Sequence, residues 1–162
     1  MRRAGRRRVR LRGMDRDHPS LGCAYFNRLS YRFVDGPSDA TVEIDVTDEL
    51  RGPNGGVHAG VTMLLADVAG AMAIAARTER GGATTNVSLH CLASAKVGPL
   101  RATATMLRAS RNSALADVRV IDVGNADRLV AVAHVSCGLF AEERPTSAEE
   151  RPTSAEEERP TS

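Results

Sequence analysis

Cysteine is scarce in this 162-residue chain: Cys23, Cys91 and Cys137 are the only three, an odd number with no Cys-x-x-Cys spacing. Neither a disulfide framework nor a zinc site fits that pattern. The three read better as small hydrophobes in strands of a protein kept in a reducing cytoplasm. Aromatic residues are also few, two Tyr, three Phe and no Trp, so nothing points to a pocket built around an aryl group. No apolar run free of charge reaches the roughly 18 to 20 residues of a membrane span, and there is no signal-peptide core. The sequence therefore predicts a soluble protein.

Each end of the chain is biased in charge. Residues 1–14 hold seven Arg and no acid, while residues 141–162 repeat Ala-Glu-Glu-Arg-Pro-Thr-Ser, with seven Glu against three Arg. These segments carry +7 and −4 of a total of +2, which leaves −1 for residues 15–140. The composition divides the chain into a basic arm over 1–20, one domain over 21–140 and an acidic tail over 141–162. Arg-rich runs attract phosphate, so the arm has the chemistry to touch nucleic acid or an anionic membrane. It reads equally well as a disordered extension, or as residues upstream of a start at Met14. A transit peptide would need Ser and an apolar face, which the run lacks. No helix-turn-helix pattern precedes residue 21, so a nucleic-acid partner is not expected. The tail has too few apolar residues to fold, and its prolines break any helix.

Between these ends, residues 54–76 stand apart. A glycine-rich turn holding Asn54 and His58 leads into a segment whose single ionisable group is Asp67. Val61, Leu64, Leu65, Val68 and Met72 recur at three- and four-residue steps, which predicts a helix. The remaining positions are small rather than charged, so the helix is expected to be buried on nearly every side, with Gly81-Gly82 as its C-cap. A carboxylate inside such a helix needs a reason, because burying an unpaired charge is costly and would raise its pKa.

The flanking segments read as strands. Residues 21–34 suggest a short turn or helix leading into a first strand. After the turn at Asp35-Gly-Pro-Ser, Ala40, Val42, Ile44 and Val46 alternate with Thr41, Glu43, Asp45 and Thr47, the pattern of a half-buried strand. Four more strands follow from Thr84 to Phe140, broken at Val97-Gly-Pro, Ser110-Arg-Asn-Ser and Gly124-Asn-Ala-Asp. His90 and His134 fall in these strands. Two strands, one helix and four strands define an α+β fold: an antiparallel curved sheet wrapped around one long central helix.

His58-Ala59-Gly60 at the helix start, Leu65-Ala66-Asp67 and the small residues Ala69-Gly70-Ala71 resemble the motifs of the hotdog-fold acyl-CoA thioesterases of the PaaI-like family. Ala95-Lys-Val-Gly98 is similar to that family's hinge between its third and fourth strands, and Arg128-Leu-Val-Ala to the start of a later strand. The likeness covers about residues 21–140. It departs from the family at Ala59, where a second glycine is usual, and at Gly52, six residues before the His, where the family has Asn. Here Asn54 stands four before it.

The resemblance implies a thioester hydrolase that needs no metal or other cofactor, coenzyme A being part of the substrate. A thiol pKa of about 8.5 makes the leaving group a good one, so one carboxylate and an oxyanion hole suffice. The Ala59 and Gly60 amides at the helix N-terminus would receive the oxyanion, with Asp67 as general base or nucleophile. Asn54 belongs to the helix start, and His58 orients the turn or polarises the carbonyl. The resemblance puts a water-positioning hydroxyl at Thr84 or Thr85. Arg108 and Arg111 are candidates for the coenzyme A phosphates. Nine helical residues at about 100° each put Asp67 half a turn around and about 13 Å along from His58, so the two cannot share a site within one chain. A homodimer, or a dimer of dimers, with composite sites follows, as the family's dimers imply. The competing readings are a hotdog protein that binds acyl-CoA without hydrolysing it, a ligand-sensing regulator, and a hydratase, which would want a differently placed His and acid.

Overall fold

The structure, a computed structural model, describes residues 28–29 and 31–141. The basic arm, Cys23 and the acidic repeat beyond residue 141 lie outside them. The element order is β1 (Arg32–Phe33), β2 (Ala40–Ile44), a 3-10 turn (Asp48–Leu50), α1 (Ala59–Thr78), β3 (Gly82–Cys91), β4 (Leu100–Ala109), β5 (Ser113–Asp122) and β6 (Arg128–Leu139). One six-stranded sheet runs β1-β2-β4-β5-β6-β3, with every neighbouring pair antiparallel. This is the expected antiparallel sheet around one long helix.

The sheet's inward slots follow the period of two. Leu100, Ala102 and Ala104 of β4 and Ala114, Ala116, Val118 and Val120 of β5 are buried beneath Leu65, Val68, Met72 and Ile74 of α1. Small inward residues let the helix lie close. A Cβ added to Gly70 would stand 2.5 Å from Val135 Cβ, so glycine is what allows α1 to settle onto β6. By length and composition α1 would also pass for a membrane-crossing helix, yet most of it is buried in the core. In β6 the register shifts opposite Val120 and Ile121, and both Val130 and Ala131 are buried as a result.

Three expectations are corrected. First, β2 is covered on both faces. Thr41 meets Ser38 Oγ at 2.8 Å, and Glu43, only 4% exposed, is held by Arg32 at 2.8 Å and by Arg101. The short β1 and these two arginines supply a cover that alternation along one strand does not reveal. Second, α1 ends at Thr78, and Glu79 in the left-handed region (φ 54°, ψ 24°) is its C-cap, its N–H reaching Ala75 O at 2.9 Å. Gly82 instead opens β3. Third, α1 is not enclosed on nearly every side. Met63 is 42% exposed, and Leu64, Asp67, Ala71 and Ala75 are half-buried, because a single sheet covers only one side of a helix.

Candidate active site

The loop before α1 is tied down through its backbone. Arg51 bridges to Val57, Gly52 N–H donates to Gly56 O at 2.7 Å, and Gly55 takes a positive φ of 74° that favours glycine. Arg51 Nη1 then donates to Gly55 O and to Lys96 O, both at 2.9 Å, joining this loop to the β3–β4 connection. His58 is the N-cap of α1, and its Nδ1 accepts the Gly60 N–H at 3.0 Å. In the neutral ring the proton is therefore on Nε2, which is left as a donor. Of the two amides expected to form an oxyanion hole, Gly60's is engaged by His58, while Ala59's makes no hydrogen bond to any described residue.

Asn54 Oδ1 accepts the Gly56 N–H at 3.2 Å and so closes the tip of the loop. A Cβ placed on Gly52 would lie 3.6 Å from Asn54 Oδ1 and 3.8 Å from His58 Cδ2. The displaced Asn thus folds its carboxamide back beside position 52. Asn54, His58 and Ala59 line a cleft of about 490 Å³, walled on the other side by Cys91, Leu92, Ala93, Ser94 and Val130.

Asp67 lies outside that cleft. Its Oδ1 accepts a hydrogen bond from Thr84 Oγ1 at 2.8 Å. The pairing depends on a bulge: Thr84 pairs with Cys137 and Asn86 with Ser136, which leaves Thr85 as the extra residue. Thr85 Oγ1 turns to Ser136 O at 3.2 Å, so Thr84 alone of the two threonines reaches the carboxylate. Beneath it, Cys137 Sγ is 3.9 Å from Thr84 Oγ1, and burial pushes that thiol's pKa up, which keeps it protonated and a poor nucleophile. Arg108 and Arg111 make no hydrogen bond or ion pair with either group. They stand at the β4–β5 turn, where Arg111 O accepts Arg80 Nη1 at 2.9 Å just past the end of α1. The structure therefore brings together Asn54, His58, Ala59 and Gly60 in one cluster and Asp67 with Thr84 in another. His90 and His134 are exposed, and Cys91 ends β3.

Sequence reasoning missed Asp122, which has no exposed surface. Its carboxylate accepts the N–H groups of Lys96 (2.8 Å), Val97 (3.1 Å) and Gly98 (2.6 Å), and so fixes the loop that forms one wall of the cleft. Burial works to raise its pKa. The amides of Lys96, Gly98 and Val97, with the Asn125 side chain, outweigh that and hold it below the usual carboxylate value. The signal was present, because Asp122 occupies the next inward slot after Val118 and Val120. Among the described residues no group of three or more His, Cys, Asp or Glu is placed to hold a metal ion.

An antiparallel sheet around a long helix, with a glycine loop and His at the helix start and an acid further along it, is the hotdog arrangement. The family model of the thioesterase superfamily matches residues 54–128, which include both clusters. Solved structures share the fold. A thioesterase from Haemophilus influenzae aligns at TM-score 0.68 and 16% identity over 78% of this chain and 90% of its own. The Escherichia coli PaaI protein of the phenylacetic acid degradation operon gives 0.67 and 18%, over 75% and 88%. An esterase candidate from Mycobacterium tuberculosis gives 0.67 and 25%, over 75% and 100%. No curated protein matches by sequence. Over residues 54–128 the chain thus resembles the thioesterase superfamily, and it shares the hotdog fold with these solved structures.

Proposed function

We propose that this protein hydrolyses an acyl-CoA thioester to the free acid and coenzyme A, at sites each assembled from two copies of the chain. The hydrogen bond from Thr84 to Asp67 at 2.8 Å carries this reading. It orients a half-exposed carboxylate on the side of α1 that the sheet leaves open, next to β3, the edge strand of the sheet among the described residues. With Oδ1 held by Thr84, Oδ2 is left to act on water or on the substrate.

In the base route, Asp67 takes a proton from water and the water oxygen attacks the thioester carbonyl carbon. In the nucleophile route, the carboxylate itself attacks, and water then opens the resulting anhydride. Either way the carbonyl oxygen becomes an oxyanion, received by Ala59 N–H and His58 Nε2–H of a second copy, and collapse expels the thiolate of coenzyme A; the thiolate takes up the proton that Asp67 took from water in the base route, or the one released when water opens the anhydride in the nucleophile route. Contact of Arg108 and Arg111 with the coenzyme A phosphates also depends on a second copy, since both lie at the far end of α1 from the cleft. The amide proton count is smaller than the motif suggests, because Gly60 N–H is spent on His58.

Released thiol, measured over a panel of acyl-CoAs, tests the proposal. Asp67→Asn is expected to lower the rate by about 10²- to 10⁴-fold, the usual contribution of a positioned acid or base. Equal rates for wild type and variant remove Asp67 from the mechanism. No release from any acyl-CoA leaves a protein that binds acyl-CoA without hydrolysing it.

A further inference from the structure

The cleft at the start of α1 contains a hydroxyl that neither the fold nor the proposed reaction uses. Thr62, one turn into the helix, is 5% exposed and lines the cleft. Its side chain makes no hydrogen bond to any described residue. Thr78, at the other end of the same helix, does bond back to Ile74 O at 2.8 Å. The Thr62 oxygen is not among the sealed-in unpaired polar atoms, and the opening that the residue lines is the cleft. A hydroxyl on a nearly buried residue, without a partner in the protein, is one that a ligand atom arriving in the cleft can engage. A valine would fill the same space and offer no hydroxyl. On the opposite wall Leu92, Ala93 and Val130 are apolar and stand beside Cys91 and Ser94, so the partner suited to Thr62 is a polar atom on a largely apolar group.

We propose that Thr62 determines specificity by hydrogen-bonding an oxygen on C3 of the acyl chain, so that the site prefers short 3-hydroxy- or 3-oxoacyl thioesters to plain ones. This rests on the thioesterase reading, with the thioester oxygen at Ala59 N–H. Thr62 lies three residues further on, about 4.5 Å along the axis on the same side, and its side chain tilts back toward the N-terminus. An oxygen two carbons from the carbonyl falls within that reach. Threonine both donates and accepts, so it serves a hydroxyl or a keto oxygen.

The test compares kcat/KM for 3-hydroxybutyryl-CoA and butyryl-CoA in wild type, Thr62→Val and Thr62→Ser. Wild type is expected to favour the hydroxylated substrate by about tenfold or more, the preference vanishing in Thr62→Val and surviving in Thr62→Ser. A wild-type ratio at or below one, or a ratio unchanged in Thr62→Val, overturns the proposal. Calorimetric Kd values for thioether analogues, with a methylene between sulfur and carbonyl, give the same comparison without turnover. If these show the preference and its loss while no thioester is cleaved, Thr62 keeps its role and only the hydrolytic reading fails. If they show none, the Thr62 proposal falls.

Discussion

At Asp122 a carboxylate with no exposed surface remains charged because three backbone N–H groups converge on it. An amide in its place would turn an NH₂ toward those donors, and the loop from Lys96 to Gly98 would lose its anchor. Asp122→Asn is expected to cost about 2–4 kcal/mol, read from urea unfolding, since hydrogen bonds to a charged acceptor are among the strong ones and a mismatched buried pair is penalised. The pH dependence has a definite sign. The folded pKa is held below the ordinary 3.8, so the stabilisation is present above that value and is lost as pH falls through the folded one. The gap in stability between wild type and Asp122→Asn should therefore be full at neutral pH and shrink in strong acid; a gap that stays constant down to the acid limit contradicts the assignment. Asp67 has the opposite setting: half-buried, with one hydroxyl donor and an open side, it has room for a substrate that Asp122 lacks.

The elements themselves were largely legible. Helical spacing from Val61 to Met72 and alternation in β4 and β5 come from the chain's own periodicity, and both survive in the structure. What escaped depends on contacts remote in sequence. Glu43 is covered by Arg32, 11 residues away, and Arg101, 58 away, which strand periodicity does not encode. The helix end was misplaced because Gly81-Gly82 offers the residue type that a left-handed cap prefers, while the chain puts Glu79 there at φ 54°. That choice carries strain, and it sets a negative charge at the negative end of the helix dipole. Glu79→Gly is thus expected to stabilise the fold by about 0.5–1 kcal/mol despite glycine's greater freedom when unfolded. A rise of a few degrees in Tm is the expected readout, and a fall would show that the Glu79 side chain has a role outside the cap.

At the scale of the molecule, the separation of His58 from Asp67 was legible because nine residues of helix lie between them, and the structure keeps His58 in the cleft and Asp67 outside it. The bulge that selects Thr84 over Thr85 was not legible, since it arises in the pairing of β3 with β6. Beside Asp67 the described residues leave two surfaces open: the whole length of β3 as a free edge, and the α1 stripe through Met63, Leu64 and Asp67. Proteins seldom leave a ten-residue strand edge unpaired, so a second copy laid against β3 would satisfy its backbone and cover the stripe together. A two-fold dimer would then hold two sites, each with a helix start from one copy and Asp67 from the other. Mixing tests this directly. His58→Ala and Asp67→Ala, each impaired alone, form heterodimers on co-expression in which both lesions fall in one site and the other site is intact. With random pairing, about half the dimers are mixed, so activity should return to about a quarter of wild type, in a species of twice the chain mass. Activity no higher than that of the two parents would place each site within one chain, and His58 and Asp67 would then have to act separately.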